Sequence, residues 1–322
     1  MDGFDDFRPL VAGTVSWPEG AVEVDLGREV VRVEADDLAA VRQVLGDCNG
    51  STPVRALVER HGEDARALID LLAERGAVVD GEHAWRIAHR HGSVGTALGR
   101  GSSEDELQLM LRSRHRPSIP PSAPVALAPT AGALSALLAA RRSTWPGEVA
   151  APVTFTGLSC VLAAAYGYRA APGEPVRDGT VPSAGGLYPL LLHVLVPARL
   201  GPLTPGLWWH DPAALALHRL GAPPADPAAL FVAGEPARSL GDNGAPTVFI
   251  SADLERPARK YGARAYRFAL LEAGAAMQAA SLAAVEAGVP LRALGGIDDD
   301  AVRALLRLPE HAVALLGLSL GA

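Results

Sequence analysis

Residues 182–189 read Pro182-Ser183-Ala184-Gly185-Gly186-Leu187-Tyr188-Pro189 and run straight into LLLHVLV, residues 190–196. Adjacent glycines between two prolines let the backbone turn tightly and approach a flat ligand closely. The apolar run that follows reads as a strand with both faces covered. A turn that merely reverses the chain rarely needs so long a specified stretch, and this octapeptide is the most specific signal in the sequence. Downstream, LTPGLWWHDPAALALHRL reads as a strand, a turn at Asp211-Pro212 and a returning strand. Gly295-Gly296 closes another short strand, and Asp298 to Asp300 stand where helix-capping carboxylates belong. Upstream, LLAARRSTW ends a helix on Arg141, Arg142 and Ser143. Two guanidinium forks and a hydroxyl are suited to a phosphate, although arginines at a helix end also simply complement its dipole.

Lys260 is the only lysine, and it stands beside Tyr261 in RKYGARAYRFALLEAG, residues 259–274. Arginine cannot exchange a proton near neutral pH, whereas a desolvated ammonium can be tuned until it works as a base. That makes Lys260 the first candidate for chemistry. A statistical remnant on a solvated helix end is the plain alternative.

The chain has 322 residues, 49% of them apolar and 20% charged, enough for a sizeable core and two domains. Its net charge of -7 argues against a nucleic-acid partner, because phosphate binding leans on clustered cations. Cys48 and Cys160 fit neither a disulfide scaffold nor a zinc site. His83, His89 and His91 lack companion ligands, so no metal is assigned. The start, MDGFDDF, has no secretory pattern, and the alanine-rich stretch Phe268 to Leu294 is interrupted by Glu272, Glu286 and Arg292. It reads as a buried helix rather than a membrane span, and a cytoplasmic location is expected.

Ahead of these segments, Ala21 to Glu34 alternates as a hairpin broken at Gly27-Arg28. Three short helices follow, opened by Asp36-Asp37, by Thr52-Pro53 and by Glu63, the last closing on Gly76. VVDGEHAW then reads as a wing around Asp80-Gly81. This order describes a winged-helix module over residues 1–90, separated by a Gly/Ser/Pro-rich linker, 91–130, from a second domain over 131–322. The module carries 18 acidic side chains against 10 arginines, which disfavours DNA. A strand edge can instead bind an extended peptide through main-chain hydrogen bonds. A purely structural role is the alternative.

Taken together, RRS, PSAGGLYP, KYGARAYRFALLEAG and GGIDDDAVRALL resemble the nitroreductase-like FMN flavoproteins, and within them the SagB/ThcOx-type peptide dehydrogenases. The resemblance runs from about Ala131 to the terminus, and residues 1–90 resemble the PqqD-like precursor-peptide recognition elements. It implies an α+β fold, a nitroreductase-like sandwich whose homodimer interface houses FMN. It implies oxidation of thiazoline and oxazoline rings to azoles, with reduced flavin returning its electrons to dioxygen. Expected partners are a ribosomal precursor peptide, its leader held by the amino-terminal module, and a YcaO-type cyclodehydratase. By motif, Arg141, Arg142 and Ser143 would meet the FMN phosphate or ribityl chain. Pro182, Ser183, Gly185, Gly186 and Leu187 would line the ribityl and ring system, with Gln278 on the long interface helix and Gly295-Gly296 near the redox-active edge. Lys260 and Tyr261 match the family's catalytic pair, Lys260 as base and Tyr261 as its partner. The chain departs from the pattern at Trp145, where a further arginine is usual, at Ala275, where a histidine is common, and at its end, GLSLGA, which lacks basic residues. Arg264 or Arg267 could compensate, or pair with Glu272. Two other readings remain: an NAD(P)H-dependent reductase of a small molecule or dehydroamino acid, and a non-catalytic peptide-binding scaffold.

Overall fold

An apolar run with no polar face must be covered on both sides, and in the computed structural model Leu190–Val196 is an inner strand of a six-stranded antiparallel sheet. The structure describes residues 6–26, 29–50, 52–81, 132–144, 152–169, 178–231, 245–262 and 264–321. In chain order the first elements are β1 (Pro9–Val11), β2 (Thr14–Ser16), β3 (Ala21–Asp25) and β4 (Val30–Glu34). Helices α1 (Leu38–Asp47), α2 (Val54–His61) and α3 (Glu63–Glu74) follow, then β5 (Val78–Asp80). Strands β2, β3 and β4 form an antiparallel sheet, and β3–β4 is the hairpin that the alternation predicts. Asp37 caps α1 through its carboxylate, 3.0 Å from the amides of Ala39 and Ala40. Val22, Val24, Leu57, Ile69, Leu72 and Val78 pack into a core of their own. Strand β5 pairs with β1, which the sequence reading does not include. The return strand of the expected wing, the linker, and His83, His89 and His91 lie outside the described residues.

The second set comprises α4 (Ala133–Ala140), α5 (Phe155–Ala165), β6 (Leu190–Val196), β7 (Gly206–Asp211), β8 (Ala216–Gly221) and β9 (Thr247–Asp253). It continues with α6 (Glu255–Tyr261), α7 (Arg264–Glu286), β10 (Leu291–Leu294), α8 (Asp299–Leu306) and β11 (Ala312–Leu320). The sheet order is β10-β11-β9-β6-β7-β8. Leu192, Val194, Val248 and Ile250 face α5 and α7 on one side. Leu195, Phe249 and Ile297 meet Val302 and Leu306 of α8 on the other. Helices on both faces of one sheet make this an α+β sandwich, as expected.

Helix α7 packs against α5 along Ala265, Ala269, Ala273, Ala276 and Ala280, residues small enough to bring the two axes close. Among the described residues it is the one helix long and apolar enough to cross a membrane, and here its inner face belongs to this core. The predicted helical stretch to Leu294 is shorter in fact. Gly288, at φ +65°, and Pro290 end it, because neither continues a right-handed turn, and Leu291–Leu294 is strand β10.

His193 on β6 lies opposite Phe249 and Trp209 and is buried, with Nδ1 unpartnered. Burial holds its pKa down, at about 4. An unfolded chain takes up this proton near the ordinary value of about 6.5, whereas the native chain resists until pH falls further. The contribution to stability is therefore complete above that value and is lost as the pH falls, by about 3 kcal/mol in all. Urea unfolding at pH 7 and pH 4 should show His193→Phe losing about that much less stability than the parent protein on acidification.

Candidate functional site

The turn before β6 is held in a conformation that few residues adopt unaided. Ala184–Gly186 forms a single 3-10 turn in which Gly185 and Gly186 have φ of +63° and +65°. Tyr188 follows at φ 46°, a cost of about 1–3 kcal/mol for a bulky residue. Its amide donates to Ser183 Oγ at 2.8 Å, and its ring packs edge-on against Tyr166 and tilted against Tyr168. The surroundings thus over-determine the strain.

Beneath the turn lies Glu272, on the inner face of α7 and only 3% exposed. Ser183 Oγ donates to Glu272 Oε2 at 2.7 Å, and Tyr166 Oη donates to Oε1 at 2.7 Å. The amide of Leu190 in turn donates to Tyr166 Oη at 3.1 Å. Burial pushes the Glu272 carboxyl above the usual range, and the two hydroxyl bonds pull it partly back. Burial, and then the Glu272 charge, push the Tyr166 phenol well above its ordinary value, so it stays a donor. Glu272 thus faces inward to two hydroxyls. Arg264 and Arg267 lie on the exposed face of α7, and of the two alternatives for them, pairing with Glu272 is not formed. Tyr166 and Tyr188 were not singled out from the sequence. A carboxylate at a helix position otherwise filled by alanine was the available signal for Glu272.

Lys260 and Tyr261 end α6 directly over the turn. A Cβ built on Gly185 would lie 2.7 Å from Lys260 Nζ and collide with the Tyr261 hydroxyl. The Lys260 ammonium stands 5.3 Å from the Tyr261 ring centroid, and that ring packs edge-on against Phe268 at 5.0 Å. Arg256, one turn earlier on α6, donates to the carbonyl of Leu187 at 2.8 Å. Residues 69 or more positions apart are thereby brought together. The ammonium is exposed rather than buried, so desolvation at Lys260 must come from whatever binds against it.

The other predicted residues sit elsewhere. Arg141 caps the end of α4 and, with Arg142 and Ser143, is exposed. Arg142 lines a cleft of about 210 Å³ with Thr144, Ser281, Pro290 and Leu291. Gly295 and Gly296 follow β10, with open space beside Gly295. Asp298 caps α8 by accepting from Ala301, as expected. Gln278 is half-buried on α7, and Pro182 is exposed. From Phe268, beside Tyr261, to Ser281 in the cleft is about 20 Å along α7. The turn beneath Lys260 and Tyr261 and the Arg142 cleft thus lie near opposite ends of one helix.

Residues 138–322 match the nitroreductase family. The chain belongs to that family. Nitroreductase MJ1384 of Methanocaldococcus jannaschii is 31% identical over 167 residues, covering 51% of this chain and 80% of that protein. A chain of the E. coli microcin synthetase McbBCD complex with truncated pro-MccB17 bound has a TM-score of 0.59 at 18% identity. It covers 75% of this chain and 92% of its own, so the likeness of fold extends beyond residues 138–322. A nitroreductase structure from Ralstonia eutropha JMP134 aligns with 21% identity over 64% of this chain and 92% of its own, at a TM-score of 0.46.

Because Lys260 is the sole lysine, amine labelling followed by peptide mass spectrometry reads its surroundings directly. Gly185→Ala adds a methyl where the ammonium and the Tyr261 hydroxyl now lie; the flexible Lys260 tip yields first, while the Tyr261 ring is held against Phe268. The variant should fold, by circular dichroism, yet label at Lys260 about threefold faster or more, with a stability cost of roughly 1–2 kcal/mol from the positive φ.

Proposed function

We propose that this nitroreductase-family oxidoreductase is an FMN-dependent dehydrogenase that oxidises azolines to azoles in a ribosomally made peptide. The observation that carries the reading is the placement of Lys260 and Tyr261 against the backbone of Gly185. An amine and a phenol held against an exposed glycine turn would face a flat ring system bound at that surface. The likeness in fold to a chain of a peptide-bound synthetase complex points the same way.

The exposed guanidinium forks of Arg141 and Arg142 and the Ser143 hydroxyl are chemically suited to a phosphate. Arg141, Arg142 and Ser143 would hold that of FMN, and Pro182, Gly185, Gly186, Leu187, Gln278, Gly295 and Gly296 would line its sugar chain and rings. Bound FMN supplies a two-electron acceptor for hydride. Lys260, as the neutral amine that desolvation by bound peptide and cofactor would favour, would remove the proton from the neighbouring ring carbon, with Tyr261 orienting that amine. Because the turn under Lys260 and the Arg142 cleft lie near opposite ends of α7, each site would draw on two copies of the chain. Residues 1–90 would hold the leader of the precursor peptide, raising its local concentration at the site. A cyclodehydratase that makes the azolines would act before it, in the cytoplasm.

A second reading, an NAD(P)H-dependent reductase, is favoured by the likeness to MJ1384. It predicts rapid bleaching of the flavin by NAD(P)H. The dehydrogenase reading predicts bleaching by an azoline peptide instead.

Lys260→Ala should stay yellow and lose azole formation, measured by the loss of two mass units per ring, whereas Arg141→Ala should lose the flavin. Full turnover by Lys260→Ala would remove the lysine from the mechanism. Mixing Lys260→Ala with Arg142→Ala should restore activity through the one site in each mixed pair that keeps both side chains. A protein without residues 1–90 should keep its flavin and bind the leader peptide at least tenfold more weakly.

A further inference from the structure

Glu272 touches neither the open side of the turn nor any residue assigned to proton transfer, yet its two carboxylate oxygens reach both ends of the segment that carries Gly185. One limb runs from Oε2 through Ser183 Oγ to the amide of Tyr188, and the other from Oε1 through Tyr166 Oη to the amide of Leu190. A backbone amide can only donate, so each hydroxyl accepts from the chain, and an ionised carboxylate can only accept, so each hydroxyl directs its own proton to Glu272. The carboxylate thus supplies one acceptor to each hydroxyl. Helix α7 bears Glu272, and Phe268 one turn earlier is packed by Tyr261.

We propose that Glu272 is a positioning residue, a buried two-acceptor clamp that sets the Ser183–Leu190 segment at the height where Gly185 meets Lys260 and Tyr261, and so governs how the turn receives FMN. This rests on the proposed function only for the cofactor; the clamp is a property of the chain itself. Ser183, expected from its motif to line the cofactor, acts here through its two internal bonds. Tyr166 acts as the second limb.

Glu272→Gln tests this sharply, because it keeps the shape and volume but replaces one acceptor oxygen by an amide donor, so the hydroxyl on that side loses the acceptor for its own proton. One limb is weakened. In the cofactor-free chain, hydrogen exchange at the amides of Tyr188 and Leu190 should quicken at least tenfold, while amides of the central strands β9 and β11 change less than threefold. In FMN titrations the variant should bind at least tenfold more weakly, with a shifted visible spectrum of the flavin that does bind. Unchanged exchange at both amides overturns the clamp, and so does an equal rise across the whole sheet, which marks a loss of general stability only. Unaltered FMN affinity and spectrum, with exchange raised locally, overturn the link to the cofactor. If the parent protein takes up no FMN, the proposed function falls and the exchange measurement still decides the clamp. Should Glu272→Gln fail to fold, Ser183→Ala and Tyr166→Phe each remove one limb and are read in the same way.

Discussion

A carboxylate buried in an alanine seam is the constraint around which this domain is organised. Glu272 interrupts the small inner face of α7, and such a group is tolerated inside a protein only when its acceptor capacity is met. Its partners come from two other parts of the chain, Tyr166 after α5 and Ser183 before β6. Removing either would leave an oxygen without a donor, at a cost of about 1–3 kcal/mol. The network therefore links the helix pair to the sheet at the place where the turn is most strained.

That linkage explains how an unfavourable backbone persists. Positive φ at Gly185 and Gly186 is easily adopted, but at Tyr188 it requires the bond its amide donates to Ser183 and the packing of three tyrosine rings. Once the turn is held, Lys260 and Tyr261 need only the short α6 connection and the Arg256 bond to Leu187 to arrive above it. The Arg142 cleft depends on other contacts, those of Thr144 with the start of β10. The strained turn and the Arg142 cleft, near opposite ends of one helix, keep a fixed separation, and for this reason the proposed site draws on two copies of the chain.

Much of the architecture was legible in local sequence. Asp37 before an apolar-periodic run announced α1, and the unbroken LLLHVLV announced an inner strand, because capping and burial act over a few residues. Asp298 was read correctly as a cap. Strands β9 and β11, and the pairing of β1 with β5, were not read. Their identity depends on partners far along the chain, and in the second case on a three-residue strand too short to show a period. The helix read through to Leu294 failed at Gly288 and Pro290, where the apolar run continued but the backbone did not.

The sequence by itself determined which residues were candidates: a lone lysine beside a tyrosine, a glycine-rich turn between prolines, and arginines at a helix end are properties of composition and spacing. Only the tertiary structure decided that Gly185 lies under Lys260 and Tyr261, that the Ser183 hydroxyl points inward, and that the arginines stand apart from both. The physical reason is that these outcomes follow from helix packing and from hydrogen bonds between residues as many as 106 positions apart, to which no local pattern is sensitive.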